Sequence, residues 1–251
     1  MVINLRNGYE LETRMCKINN DFRTGRGVGS VVSYKWGDFM RDIPVFTTEF
    51  GVASLIIKEI PYTQKAYVRI QSSLSPAQLL AECKDFCRAA GAEKVYAAGE
   101  NIPEVYPLHT QIFRMSVSHR FLPKTDAVAK PVMPEQAAWW KEIYNRSMAA
   151  VDNAAYMDDL EMKQMLQLSD GYFVYRGEEL IGIGRVSGSC IRAVASAVRG
   201  GGKDSLLALA SLAVDDEIVL DVASTNERAI RLYEKLGFVQ KDVVEKWYKI
   251  L

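Results

Sequence analysis

The sequence has few metal-binding side chains and no long apolar segment. Its 251 residues include two histidines, His109 and His119, and four cysteines, at positions 16, 83, 87 and 190. No CxxC pair occurs and the histidines lie far from three of the cysteines, so the spacing predicts no metal site and reduced, buried thiols. No apolar run approaches about 18 residues, and the first residues lack the apolar core of a signal peptide. We therefore expect a cytoplasmic protein without a membrane partner.

An excess of charge of either sign is also absent. The chain has 31 basic and 31 acidic residues, so its formal net charge is zero. Nucleic-acid-binding proteins usually carry a basic excess, and the composition therefore argues against nucleic acid as a partner. Hydrophobic residues make up 49% and charged residues 25%, which is typical of a globular protein. No feature of the sequence specifies an oligomeric state.

The alternation of apolar and polar residues predicts two domains of mixed α/β class. The segment 122–126 reads as a linker between a first domain, 1–122, and a second domain, 127–251. In the first domain we predict strands over 52–60, 66–71, 94–98 and 111–117, and a helix that starts at Ser75-Pro76 and ends at Gly91. In the second we predict helices over 136–149, 158–168, 205–214 and 227–236, and strands over 172–175, 180–186, 190–196, 218–223 and 243–250.

The order strand, helix, strand occurs in both halves of the chain. Residues 66–98 repeat the order of residues 190–223, but the first strand runs almost directly into its helix without a glycine loop. We interpret the first half as a shortened, degenerate copy of the second, although no close sequence repeat supports this.

A glycine loop, Arg199-Gly200-Gly201-Gly202-Lys203-Asp204, joins a predicted strand to a predicted helix. Glycine has no Cβ, so the backbone can approach a ligand closely. The first N–H groups of the following helix are unpaired and its dipole is positive there, so the loop predicts a phosphate site. It is not a Walker loop, because that pattern needs Gly at 197 and Ser or Thr at 204, where Ala and Asp stand.

A second segment lies about twenty residues downstream. The strand 218–223 leads to Asn226, which begins a helix with the sequence Ala229-Ile230-Arg231-Leu232-Tyr233-Glu234-Lys235-Leu236 before Gly237-Phe238. Ala229, Leu232, Tyr233 and Leu236 share one helix face, so we expect Tyr233 to point inward. Asn226 is expected to cap the helix.

Together these two segments resemble the GNAT superfamily of acyl-CoA-dependent N-acyltransferases. The loop matches the pattern [Q/R]xxGx[G/A] at Arg199 and Gly202, and the downstream run N-x-x-A-I-x-L-Y-E-K-L-G-F is highly specific. The resemblance covers about residues 132–251. It implies the GNAT fold, a mostly antiparallel central sheet flanked by helices, and direct transfer of an acetyl group from acetyl-CoA to an amine without a metal.

The resemblance also implies roles for individual residues. Arg199, Gly200, Gly201, Gly202, Lys203, Asp204 and Ser205 would surround the pyrophosphate. Val194 and Ser196, on the preceding strand, would lie along the pantetheine arm, which backbone groups near 192–194 would bind. Asn226 would contact the cofactor, and Tyr233 would protonate the departing thiolate. Asp204 departs from the pattern, which has Gly or Ala there, and its charge would repel a pyrophosphate unless Arg199 and Lys203 offset it.

The acceptor amine must be neutral to attack a thioester, so a base is needed. Asp221 lies twelve residues before Tyr233, a spacing that resembles the base position of ribosomal-protein alanine N-acetyltransferases, which have Glu. We name Asp221 as the candidate base, and a solvent-facing charge on an alternating strand as its other interpretation. Trp139, Trp140, Tyr144 and Tyr156 are candidates for the acceptor wall or for core packing.

Three functions remain compatible with the sequence. The first is a cytoplasmic N-acetyltransferase acting on a small-molecule amine or a peptide N-terminus. The second is an acyl-CoA-binding sensor without catalysis, suggested by Asp204 and the shortened first half. The third is an interaction module that has lost the cofactor.

Overall fold

The computed structural model describes residues 2–4 and 44–251. Cys16 and the other residues of 5–43, all in the predicted first domain, lie outside these residues. The strands are β1 (Val2–Asn4), β2 (Val45–Thr48), β3 (Gly51–Ile56), β4 (Lys65–Ser73), β5 (Lys94–Ala98), β6 (Leu108–Ser118), β7 (Val128–Pro131), β8 (Gly171–Arg176), β9 (Glu179–Ser187), β10 (Cys190–Ser196), β11 (Glu217–Ala223) and β12 (Val239–Lys249).

Six α-helices accompany the strands in this part of the chain. They are α1 (Ile60–Thr63), α2 (Pro76–Ala89), α3 (Ala137–Met148), α4 (Asp159–Leu168), α5 (Gly202–Ala210) and α6 (Glu227–Lys235). Short 3-10 helices cover His119–Phe121 and Pro134–Gln136. None of the helices within residues 2–4 and 44–251 combines the length and the apolar composition needed to cross a bilayer.

All the strands join one sheet, in the order β2-β3-β4-β5-β12-β6-β11-β10-β9-β8-β7, with β1 against β10. Among the described strands, only the β4–β5 and β10–β11 pairs are parallel, so the predicted mixed α/β class with a mostly antiparallel sheet is confirmed. Strand β6, from the first half of the chain, lies between β11 and β12 of the second half. The sheet therefore contains strands from both sides of the domain division predicted at 122–127. The division itself stays a prediction.

Several sequence predictions need correction at their boundaries. The strands expected over 111–117 and 243–250 begin earlier, at Leu108 and Val239. The strand expected over 52–60 ends at Ile56, and Ile60 begins α1 instead, because Pro61 fits the first turn of a helix and cannot donate to a sheet. The helix expected over 205–214 begins at Gly202 and ends at Ala210. The glycine loop therefore contributes the first turn of α5. Strands β1, β2 and β7 were not predicted; they have only three, four and four residues.

The two faces of the sheet bury different helices. Helices α5 and α6 pack on one face, against a core that includes Val194 and Val222. Helices α3 and α4 pack on the other face, against Ala193 and Ala195. Successive strand residues point to opposite faces, which explains why neighbours on β10 enter different cores. Strands β10 and β11 therefore lie between two helical layers.

Candidate functional site

Strands β10 and β11 separate soon after they meet. Their parallel pairing covers only Cys190 with Val219 and Ile191 with Leu220. The register of β10 against β9 shifts between Ile191 and Ala193, an irregularity of the kind that bends a strand away from its neighbour. We call the resulting opening between the carboxyl-terminal parts of β10 and β11 the wedge.

The wedge contains the first strand of the chain. Val2, Ile3 and Asn4 of β1 pair antiparallel with Ala195, Val194 and Ala193 of β10, in that order. The edge of β10 that the resemblance assigned to a pantetheine arm is thus occupied by the protein's own backbone. The sequence did not indicate this pairing.

The loop after β10 contains backbone N–H groups that precede the hydrogen bonds of the next helix. The Gly201 N–H donates to the Val198 carbonyl (3.2 Å), which closes a turn, and the Ser205 N–H donates to the Gly201 carbonyl (2.9 Å). The N–H groups of Gly202, Lys203 and Asp204 precede this first helical hydrogen bond, so they belong to the unpaired start of α5. This is the arrangement that binds anions at helix N-termini.

Two glycines of the loop are required by its shape. Gly200 has φ of +88°, in the left-handed region that side chains disfavour. A Cβ on Gly201 would lie 2.5 Å from the Ile181 carbonyl oxygen of β9, so only glycine allows the loop to pack this closely on the sheet.

The predicted cofactor-binding side chains divide into two groups. Arg199 and Lys203 are exposed beside the loop. Ser196, Asp204 and Ser205 have internal partners: the Ser196 hydroxyl donates to the Val198 carbonyl, and the buried Ser205 hydroxyl donates to the Gly201 carbonyl (2.8 Å). A ligand here would meet the backbone of these residues, together with the two exposed cations.

Asp204 lies in the first turn of α5, and its carboxylate has two partners. Its carboxylate accepts a hydrogen bond from the Thr125 hydroxyl (3.2 Å) and forms an ion pair with Arg176. Gly201, not Asp204, occupies the cap position of α5, and no side chain within residues 44–251 caps that helix. Arg176 therefore counters the negative charge that the sequence placed next to the loop.

Asn226 and Tyr233 occupy the places that the downstream motif predicted. The Asn226 side chain accepts a hydrogen bond from the Ala229 N–H (3.3 Å), which confirms its role as the N-cap of α6. Tyr233 is fully buried and packs in the same core as Val194 of β10 and Val222 of β11. The phenol thus lies in the core beneath the two strands that form the wedge.

The Tyr233 hydroxyl is buried without a hydrogen-bond partner among the described residues. Buried hydroxyl groups are normally paired, and an unpaired one at a candidate site calls for a functional explanation. Burial raises the pKa of this phenol well above its ordinary value of 10.0, because the ionised form would lose its hydration. Tyr233 therefore stays protonated and keeps a proton to donate.

Asp221 lies on the other face of β11 and is paired. Leu220 and Val222 enter the core under α5 and α6, so alternation places Asp221 on the face of α3 and α4. Arg114 of β6 donates to both carboxylate oxygens, from Nε and Nη2, each at 2.8 Å. Any proton transfer to Asp221 must compete with these bonds. The sequence could not indicate Arg114, which is 107 residues distant and meets Asp221 only through the β6–β11 register.

The aromatic candidates for an acceptor wall have different environments. Trp140 and Tyr144 are buried in the core under α3, and the Trp140 indole donates to the Tyr172 carbonyl (2.9 Å). Trp139 is 47% exposed and packs on Phe173. Tyr156 alone of the four lines a cavity of about 310 Å³ between the connection 149–158 and residues 59–67 of the first half.

A metal centre is not indicated by the side chains. Within residues 44–251, no three His, Cys, Asp or Glu side chains come together in a group that could hold an ion.

Comparison with known proteins identifies the fold. No protein-family model matches the sequence, and a search of curated proteins gives no match. Solved structures are similar. One is a functionally unknown conserved protein from Staphylococcus epidermidis (TM-score 0.53, 12% identity, 83% of this chain and 93% of that chain covered). Another is a GCN5-related N-acetyltransferase from Kribbella flavida (TM-score 0.52, 11% identity, 81% and 58% covered). The chain therefore has the GNAT fold that the motifs implied.

Proposed function

We propose that this GNAT-fold chain is an N-acetyltransferase that moves an acetyl group from acetyl-CoA directly to an amine. The observation that carries the proposal is the buried, protonated and unpaired Tyr233 hydroxyl beneath the wedge. A hydroxyl kept in this state serves no purpose in packing, whereas it suits a proton donor to a leaving thiolate. Calorimetry tests whether the chain binds acetyl-CoA. A thiol-release assay with a panel of amines tests whether it transfers the acetyl group.

The donor would bind across the wedge and the glycine loop. The N–H groups of residues 202–204 and the exposed Arg199 and Lys203 would hold the pyrophosphate. The backbone of Ala193–Ala195 would pair with the pantetheine arm, in the place that β1 takes in this structure. Val194 would pack on the arm from the face of α5 and α6.

The chemistry would use both faces of the sheet. The amine nitrogen forms a bond to the thioester carbonyl carbon, and the carbon–sulfur bond breaks to release the thiolate. Tyr233 gives its proton to that thiolate from the face of α6, and the amine loses a proton on the opposite face, to Asp221 or to water. Asp221 remains the candidate base, with Arg114 holding its carboxylate in one position.

Removal of β1 is expected to tighten donor binding. The cofactor arm and β1 would use the same edge of β10, so only the fraction of molecules with β1 displaced could bind. If β1 is paired nine-tenths of the time, the apparent affinity is reduced about tenfold. A variant that lacks residues 1–4 should therefore bind acetyl-CoA about tenfold more tightly in calorimetry, with Ile3→Val as the control that retains the strand. Equal or weaker binding by the truncated variant would contradict this competition.

One acetyl-CoA is expected to bind per chain. In the first half, β4 and β5 are paired continuously from Lys65 with Lys94 to Arg69 with Ala98. These strands leave no wedge, and no glycine loop follows β4. The stoichiometry from calorimetry should be 1:1, and a value of two would show a second donor site in the first half.

An acyl-CoA-binding module without catalysis is the alternative. The pairing of both Asp221 oxygens with Arg114 favours it, because the candidate base is already engaged. Acetyl-CoA binding without thiol release in the presence of any amine would support this alternative. Absence of acetyl-CoA binding would instead favour an interaction module.

A further inference from the structure

A cavity of about 310 Å³ lies between the two halves of the chain. Ligand sites for small molecules usually have volumes of about 300–1,000 Å³, so this one suits a small ligand rather than a folded protein. Its lining comes from the first half and from the region around the end of α3: Glu59, Tyr62, Thr63, Lys65, Tyr67, Asn145, Met148, Ala149, Val151, Ala154, Ala155 and Tyr156.

The cavity lies on the face of the sheet that carries Asp221. Tyr67, in its wall, belongs to the same buried cluster as Ala223 at the end of β11. Alternation along β11 places Ala223 and Asp221 on one face. Helix α3 contributes Met148 to the cavity wall and also packs against Ala193 and Ala195 of β10. A molecule in the cavity would therefore approach the wedge from the side opposite α6.

The lining carries one charged group of each sign. Glu59 is 2% exposed, so its carboxylate belongs to the interior. Lys65 begins β4 and has no ion-pair partner within residues 44–251. Three tyrosines add aromatic surface, and two of them, Tyr62 and Tyr156, stack on each other with ring centroids 4.1 Å apart. A carboxylate, an ammonium group and aromatic rings together complement a ligand that carries an ammonium group, a carboxylate and an apolar body.

A buried amide next to the lining is unsatisfied. Asn153 lies between the lining residues Val151 and Ala154 and is 2% exposed. Neither its amide nitrogen nor its amide oxygen has a hydrogen-bond partner in the described part of the chain. Buried amides are usually paired with protein, water or ligand. Asn153 is not itself a lining residue, but its amide places a polar group without a described partner beside the cavity.

We infer that this cavity binds the acyl acceptor and that the acceptor is a small α-amino acid or a close relative with an apolar or aromatic side chain. The inference rests on the proposed function. Glu59 would lie near the amino group, Lys65 would pair with the carboxylate, and the tyrosine rings would pack on the side chain. The amino group, once neutral, attacks the thioester carbonyl carbon, as in the reaction above, and gives its proton to Asp221 or water.

The test compares amino acids with amines that differ only by the carboxylate. Thiol release is measured with L-phenylalanine and phenethylamine, with L-leucine and 3-methylbutylamine, and then with the remaining amino acids. Lys65→Met should raise KM for the amino acids about tenfold or more, since about 1.4 kcal/mol corresponds to a factor of ten, and leave KM for the amines nearly unchanged. Lys94→Met is the matched control, because Lys94 is paired with Lys65 in register but does not line the cavity.

Two further variants test acceptor binding in the cavity without changing Lys65. Ala154→Phe should fill the cavity and raise KM for both classes of acceptor, while the acetyl-CoA dissociation constant stays unchanged. Glu59→Gln should also raise KM for both classes, with Glu93→Gln, on an exposed residue, as its control.

The outcomes separate the two proposals. Unchanged amino-acid KM in Lys65→Met and Ala154→Phe, or transfer only to amines without a carboxylate, would overturn the acceptor assignment and leave donor binding intact. Failure of the parent protein to bind acetyl-CoA would overturn the proposed function. In that case amino-acid binding, measured by calorimetry without acetyl-CoA, shows whether the cavity retains its ligand class; no binding there overturns the inference as well.

Discussion

Replacement of Tyr233 by Phe is expected to lower the rate constant for acetyl transfer by about 10²–10⁴-fold, the usual contribution of a general acid. The change keeps the buried ring, which packs against Phe238 with centroids 5.8 Å apart, and removes only the hydroxyl. The acetyl-CoA dissociation constant should stay nearly constant. Single-turnover kinetics with a verified acceptor would measure the transfer step directly.

For the same variant we also predict the effect on thermal stability, which is independent of the rate. The Tyr233 hydroxyl is buried without a partner among the described residues, and such a group costs about 1–3 kcal/mol. Tyr233→Phe should therefore unfold at the same temperature as the parent or at a higher one. A large loss of rate with no loss of stability is the pattern of a functional group retained at the expense of stability.

A matched variant and a pH series complete this test. Tyr248→Phe removes a hydroxyl on β12, away from the wedge, and should leave the rate unchanged. Because burial raises the pKa of Tyr233 above 10.0, ionisation of the phenol should not reduce the parent's rate below about pH 10. If Tyr233→Phe turns over at the parent rate, Tyr233 is a core aromatic only and the proton comes from another donor.

Replacement of Gly202 by Val is expected to weaken acetyl-CoA binding by tenfold or more, a loss of at least about 1.4 kcal/mol. Gly202 supplies the first N–H of α5, where a phosphate would approach the backbone, and a branched side chain would block that approach. Calorimetry gives the dissociation constant, and thermal unfolding shows whether the variant retains its fold.

The choice of position matters for this test. Gly201 packs on the Ile181 carbonyl oxygen at a distance that no side chain allows, so its replacement would damage the fold as well as the site. Ala197→Val is the control, because Ala197 is exposed and precedes the turn closed by Gly201. Parent-like affinity in a folded Gly202→Val variant would place the pyrophosphate somewhere else.

Local sequence was sufficient to predict those strands and helices whose signals lie within a single segment of the chain. The strands over 94–98 and 190–196 and the helix after Asn226 lie where the residue pattern placed them. Asn226 caps its helix and Tyr233 points inward because apolar spacing and capping act within one or two turns. The glycine loop precedes a helix, as the sequence predicted, because its glycines allow the tight turn that leads into α5.

Contacts between distant segments could not be predicted in this way. Arg114 meets Asp221 only because β6 inserts between β11 and β12, and that insertion depends on strand pairing across the predicted domain division. The internal partners of Asp204 come from a loop at Thr125 and a strand end at Arg176. Neither residue is near the glycine loop in sequence.

The sequence by itself determined most of the secondary-structure pattern of the second half, the position of the glycine loop at the start of a helix and the inward orientation of Tyr233, because each depends on neighbours in the chain. The tertiary structure decided what surrounds them. It placed β1 in the wedge, engaged Asp221 with Arg114, and formed a cavity from Glu59 and Lys65 of one half and Tyr156 of the other. Strand order and register follow from packing and pairing over the whole chain, and no local pattern encodes them.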